Sequence, residues 1–173
     1  MTSKLYLGID VSTSCTGFAL IDEDGKLIEA SFVYLDSPDY HQRALDVKKE
    51  IERYSTRGIE RVSIEANLTG FQRGRSSAHV LMTLARFNGV VTYLAREVLD
   101  ITPDIISVTV ARNNLGIKIP RGSDPKAIVK LWVDVQEKDF KWQTKVLKSG
   151  PRKGETVLEK GVEDAMDAYV IAR

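Results

Sequence analysis

The stretch LYLGID at residues 5–10, followed after a polar turn by TGFALI at 16–21, decides the architecture of this chain. Both runs are apolar and contain aromatic and β-branched residues, which is typical of buried strands. The turn signal DEDG at 22–25 and a third strand-like run at 26–35 follow directly. Because short connections join antiparallel neighbours, the sequence predicts an antiparallel meander of three strands.

Helical and strand patterns alternate after the meander. They predict helices at 37–57, 76–99, 124–136 and 162–171, strands at 60–65 and 104–110, and a polar, basic, irregular segment at 140–161. No internal repeat or linker divides the 173 residues, so residues 1–173 are predicted to form one domain. The expected fold class is α/β, with a five-stranded mixed sheet, its first three strands antiparallel, flanked by helices.

Composition limits the location and the partners. No apolar run approaches the ~20 residues of a membrane span, and the chain opens directly on a strand-like run, so we expect a cytoplasmic protein with no membrane association. The single Cys15 excludes an intrachain disulfide and indicates a packing residue. Residues 141–160 hold six basic and two acidic residues, a net charge of +4. Such a segment is either a polyanion-binding surface or a solvated lysine-rich loop.

Four acidic residues occupy positions where an apolar side chain is expected: Asp10, Glu65, Asp164 and Asp167. The first two end apolar runs, and the last two lie three residues apart on one face of an apolar helix. Each has an ordinary alternative: a turn residue at Asp10, an exposed strand end at Glu65, and a charge favoured by the helix dipole at Asp164. Taken together they predict a hard-metal site, because the topology brings both strand ends near the last helix. Two cations about 4 Å apart in such a site catalyse phosphoryl transfer.

These motifs, in this order, resemble those of RuvC-type Holliday junction resolvases, members of the RNase H-like nuclease superfamily. LGID at 7–10 with TGFAL at 16–20 resembles their first strand pair, IE at 64–65 their second motif, and EDAMDA at 163–168 their closing helix. The resemblance runs from about residue 4 to the C-terminus. The compact size, and the segment from VAR at 110–112 through WV at 132–133, look closer to the bacteriophage or viral branch.

The resemblance implies an RNase H-like fold and a crossover junction endodeoxyribonuclease that takes part in DNA recombination and repair. It implies paired Mg²⁺-dependent hydrolysis of phosphodiester bonds, with two Mg²⁺ per active site and Mn²⁺ able to substitute. It makes Asp10, Glu65, Asp164 and Asp167 both catalytic residues and metal ligands. It also implies a homodimer matched to the two-fold symmetry of a four-way junction, with residues 76–99 as the dimer contact. A bacteriophage protein of this kind would act in the cytoplasm of its bacterial host.

Several residues outside the carboxylate set are candidate DNA contacts. In the loop after Glu65, Phe71 lies between two glycines and precedes Arg73 and Arg75. Phe71 either stacks on an unpaired base or packs back onto its own domain, and the two arginines would hold phosphates. Further phosphate contacts are expected at Lys118, Arg121 and Lys126, of which Lys118 is favoured to stabilise charge at the scissile phosphate.

Other functions remain open from the sequence. A nuclease for forks, flaps or RNA–DNA hybrids would carry the same carboxylates. GIDVSTS at 8–14 also resembles the first phosphate loop of actin-like sugar kinases, although a second Gly-rich nucleotide loop is not evident. A catalytically idle DNA-binding or scaffold protein would share the fold, but four intact carboxylates favour an enzyme.

Overall fold

The central sheet has the predicted topology. The computed structural model describes residues 4–66 and 77–173. Five strands pair in the order β3-β2-β1-β4-β5: β1 (Leu5–Val11), β2 (Cys15–Asp22), β3 (Leu27–Tyr34), β4 (Ile59–Glu65) and β5 (Asp104–Ile106). The first three are antiparallel neighbours, whereas β4 is parallel to β1 and β5 is parallel to β4. The predicted meander and the mixed five-stranded α/β sheet are confirmed.

The described residues form five helices: α1 (Tyr40–Glu52), α2 (Ala78–Leu99), α3 (Val108–Asn114), α4 (Pro125–Gln136) and α5 (Val162–Ala172). Three of them begin at a short acidic or hydroxyl side chain that accepts a hydrogen bond from the first turn: Asp39, Ser77 and Asp124. Within the described ranges, no helix combines the length and the apolar character that crossing a bilayer requires.

Three segments differ from the prediction. The first helix was expected at 37–57 but spans Tyr40–Glu52, and a turn follows it. The fifth strand was expected at 104–110 but ends at Ile106, and the chain turns into α3 from Val108. A short β-branched run fits a strand or a buried helix equally well by periodicity, and here the helix buries Ala111. The segment at 140–161 was expected to be irregular but contains an antiparallel hairpin, β6 (Thr144–Val146) and β7 (Thr156–Leu158). Its strands of three residues are too short to show a sequence alternation.

The sheet buries both of its faces, because successive strand side chains point in opposite directions. One face packs on α1 and α2 through Leu7, Ile9, Phe18, Leu20, Val47, Ile51, Phe87 and Val91. The other, which we call the α5 face, packs on α3, α4 and α5 through Ala19, Ile21, Ala111, Val129, Val133, Ala165 and Tyr169. The candidate carboxylates of α5 therefore lie on the α5 face of the sheet.

Two glycines let α5 lie directly on the backbones of β1 and β2. A Cβ atom at Gly8 would stand 2.1 Å from the carbonyl oxygen of Ala168, and one at Gly17 would stand 2.2 Å from the carbonyl oxygen of Asp164. These distances are far below van der Waals contact and involve backbone atoms that cannot rotate away. The position of Asp164 over β2 thus depends on the absence of a side chain at Gly17.

Gly17→Ala should lower the free energy of unfolding by about 2–3 kcal/mol, because the added methyl group displaces the start of α5. Urea unfolding measures the change. Ser55→Thr is the control: it adds one methyl group at an exposed turn, so we expect a change within about 0.5 kcal/mol. Unchanged stability in Gly17→Ala would show that α5 is not seated on β2 as described.

Candidate functional site

The four predicted carboxylates converge at one edge of the sheet. Asp10 lies near the end of β1 opposite Gly17, and Glu65 is the last residue of β4, which runs parallel to β1. Asp10 is two residues beyond Gly8, so it points to the same α5 face. There Asp164 and Asp167 lie in the first two turns of α5. The buried side chain of Asn88 on α2 donates a hydrogen bond of 2.7 Å to the carbonyl oxygen of Glu65 and holds the end of β4.

Asp10 is a buried acid that pairs with no base among the described residues. The residue is 7% exposed. Burial raises the pKa of Asp10 well above its usual range, and hydrogen bonding to Glu65 and the charges of Glu65, Asp167 and Asp164 raise it further. Within residues 4–66 and 77–173, no lysine or arginine forms an ion pair with Asp10. The surroundings of Asp10 therefore destabilise the ionised form of its carboxyl group.

Asp164 and Asp167 each have a basic partner. The Nζ atom of Lys126, in the first turn of α4, lies 3.1 Å from Oδ1 of Asp164. Arg112 on α3 donates from Nη2 to Oδ1 of Asp167 at 3.2 Å, and both side chains are mostly buried. Burial nevertheless raises the pKa of Asp167, although Arg112 and Lys126 both act to lower it. Two of the four carboxylates are thus neutralised by the protein itself.

The predicted basic contacts separate into three groups. Lys126 reaches the carboxylates, whereas Lys118 and Arg121 lie on the exposed connection between α3 and α4. Phe71, Arg73 and Arg75 lie outside the described residues. Arg112 and Asn88 were not among the predicted site residues. The sequence shows each of them only as a polar side chain on a helix face that is otherwise buried. Such a position does not reveal its partner until the folded structure is known.

The four carboxylates offer oxygen atoms, the type of ligand that a hard divalent cation binds. Carboxylate oxygens are the ligands that Mg²⁺ prefers, and the uncompensated acid at Asp10 favours a nearby positive charge. In the part of the chain that the structure describes, however, no three acidic, histidine or cysteine side chains are grouped closely enough to hold a metal ion. A cation bound by all four carboxylates would require Asp164 and Asp167 to turn from Lys126 and Arg112.

Asp10→Asn should stabilise the metal-free protein at neutral pH. The pKa of Asp10 in the folded state is raised above its ordinary value of 3.8. As the pH rises from this ordinary value towards the raised pKa, the unfolded chain ionises more readily than the folded one, so the folded state loses stability. In EDTA at neutral pH we expect a gain of about 1 kcal/mol, which shrinks towards zero as the pH is lowered to about 4. Urea unfolding of Asp10→Asn against the exposed-site control Asp36→Asn tests this. A loss of stability in Asp10→Asn alone would contradict a strained carboxylate.

Comparison with known proteins places the fold. No protein-family model matches the chain, and no curated protein matches its sequence. Two solved structures match 97% of the chain and 90% of their own length. They are T. thermophilus RuvC in complex with a Holliday junction substrate, with a TM-score of 0.65 and 17% identity, and T. thermophilus RuvC, with a TM-score of 0.59 and 19% identity.

A likeness at this identity concerns the fold. Both matched structures come from T. thermophilus, so the closer resemblance to the bacteriophage branch stays a prediction from the sequence. The mixed five-stranded sheet, flanked by helices on both faces, gives this chain a RuvC-like, RNase H-like fold.

Proposed function

We propose that this protein is an endodeoxyribonuclease that resolves Holliday junctions by Mg²⁺-dependent hydrolysis of phosphodiester bonds. The observation that carries the proposal is that Glu65, Asp164 and Asp167 lie within electrostatic reach of the buried Asp10 on a RuvC-like sheet. One matched structure, T. thermophilus RuvC, is bound to a Holliday junction substrate. A site of this composition on this fold supports phosphodiester cleavage better than any other chemistry.

The four carboxylates are the proposed ligands of two Mg²⁺, which Mn²⁺ could replace. When bound, the cations supply Lewis-acid charge that activates a water molecule and stabilises the oxygens of the scissile phosphate. Buried Asp10 contributes a carboxylate that no protein cation neutralises among the described residues. Arg112 orients Asp167 through its hydrogen bond from Nη2.

Lys126 is the basic residue best placed to assist. Its ammonium group lies 3.1 Å from Asp164 and 3.6 Å from Glu163, at the start of α5. If Asp164 turns away from Lys126 to bind a cation, the ammonium group of Lys126 can donate to a phosphate oxygen at the same end of the sheet. The proposed charge-stabilising role thus passes from Lys118, which the sequence favoured, to Lys126.

The exposed face of α2 is the proposed dimer contact. Met82 and Tyr93 are both 66% exposed, and they lie eleven residues, or three helical turns, apart on one face of α2. Gly89 lies between them on that face and leaves room for another helix to approach. A symmetric dimer formed through this face would present two active sites to two strands of a junction.

Asp10→Asn should abolish Mg²⁺-dependent nicking of a synthetic four-way junction. We expect a single-turnover rate at least about 100-fold below wild type, with junction binding in EDTA retained, because the variant removes a ligand and leaves the surface intact. Asp36→Asn, an exposed carboxylate, is the control. Cleavage that continues in EDTA, or at the wild-type rate in Asp10→Asn, would contradict the proposal.

Cleavage rates on matched DNA substrates should identify the preferred substrate. A junction, a fork, a flap and an RNA–DNA hybrid that share one arm sequence should be cut at different rates, with the junction fastest. Equal cleavage rates on the fork and the junction would support nuclease activity but contradict the assignment of the four-way junction as the preferred substrate.

Tyr93→Glu should convert a dimer into a monomer. Light scattering at micromolar concentration should give twice the chain mass of 19.3 kDa for the wild type and the single mass for the variant, because a buried unpaired carboxylate opposes association. Leu131→Glu is the matched control, since Leu131 is an exposed apolar residue on α4. A monomeric wild type, or dissociation only in Leu131→Glu, would exclude α2 as the interface.

A further inference from the structure

The hairpin β6–β7 projects from the rest of the described chain. Its two strands pair with each other and with no strand of the main sheet. Every residue from 148 to 156 is exposed, as are Thr144, Lys145 and Val146. A hairpin that buries little apolar surface contributes little to a hydrophobic core. Its sequence is therefore available for contact with another molecule.

The tip of the hairpin, residues 148–153, is an ordered turn. The Leu147 amide donates to the Glu155 carbonyl at 2.9 Å, and the Gly154 amide returns a bond of 2.8 Å to Leu147. Inside this closure the Lys153 amide donates to the Gly150 carbonyl at 3.1 Å. Gly150 has a φ of 83°, which a residue with a side chain rarely adopts. The side chains of the tip are thus presented on a defined backbone.

The base of the hairpin is tied to the sheet beside the candidate active site. Gln143 donates from Nε2 to the Ala30 carbonyl at 2.7 Å. The Tyr34 hydroxyl donates to Glu159 and accepts from the Gly161 amide at 3.2 Å. Gly161 immediately precedes α5, and the hairpin ends at Leu158, six residues before Asp164. Its direction is therefore coupled to the helix that carries two of the four carboxylates.

The tip carries three basic side chains: Lys148, Arg152 and Lys153. Arg152 pairs with Glu155 at 2.7 Å, whereas Lys148 and Lys153 form no ion pair with any described residue. A strand rises about 3.3 Å per residue, so the four residues from Glu159 to Glu155 extend roughly 13 Å, and the tip lies beyond them. Duplex DNA advances about 3.4 Å per base pair, so this distance corresponds to roughly four base pairs. The tip would thus reach phosphates along a duplex arm and not the scissile phosphate.

We propose that the hairpin β6–β7 is a second DNA-binding element, which holds the phosphate backbone of a duplex arm through Lys148, Arg152 and Lys153. The identity of the polyanion rests on the proposed nuclease function, but the binding itself requires neither metal nor cleavage. Exposed basic side chains on a rigid arm beside a phosphodiester site favour backbone contact, which is independent of sequence.

The test compares two triple variants of the full chain. One changes the tip (Lys148→Gln, Arg152→Gln and Lys153→Gln), and the other changes three exposed lysines elsewhere by the same net charge (Lys26→Gln, Lys49→Gln and Lys138→Gln). Fluorescence anisotropy in EDTA measures binding to a four-way junction and to a linear duplex across a range of salt. The tip variant should bind about 10-fold more weakly, and the slope of log K against log salt should fall by about 2–3, near 0.9 for each lost phosphate contact. The control should keep the wild-type slope.

Each outcome decides between the two proposals. Equal losses in both triple variants, no loss in either, or a wild type that binds neither DNA would overturn the hairpin proposal. Weakened binding by the tip variant with no Mg²⁺-dependent nicking of any substrate would support the hairpin and reject the nuclease. Urea unfolding at the wild-type midpoint confirms that both variants are folded, as expected for exposed positions.

Discussion

The close contact of α5 with the backbones of β1 and β2 is the constraint on which the candidate site depends. At Gly8 and Gly17 no side chain separates the helix from the sheet, and an added Cβ would overlap its main-chain atoms. The helix is buried along almost its whole length and also packs on α3 and α4. These contacts fix both the distance of α5 from the sheet and its lateral position. Asp164 and Asp167 therefore lie within electrostatic reach of Asp10.

The same packing creates a charge imbalance. Four carboxylates meet at the sheet edge, and the described residues supply two close cations, Lys126 and Arg112. Each cation comes from a helix that packs on α5, so the partial neutralisation is built into the core. Among the described residues, Asp10 is left buried without a cation partner, a condition that lowers stability and persists where it serves a function. An incoming cation would relieve this imbalance, which is the physical reason for proposing a metal centre here.

The sequence predicted those features whose signals are local. The strand ends near Asp10 and at Glu65, and the closing helix, follow from runs and spacings of a few residues. The boundary at Ile106 was missed because only packing decides whether a β-branched run continues as a strand. The partnership of Arg112 with Asp167 was missed because its members are 55 residues apart and meet only in the folded chain.

In the proposed nuclease, chemistry and substrate choice arise at different places. The four carboxylates would act on any phosphodiester bond, so they would not by themselves distinguish a junction from a linear duplex. Discrimination requires contacts at fixed distances from the site, because branched DNA differs from linear DNA in where its arms point. The hairpin, tied to the start of α5 and extending more than about 13 Å, would provide one such distance. A dimer through α2 would provide a second, between two active sites. Selectivity for a branched substrate would then come from both distances being satisfied at once, with no residue reading a base.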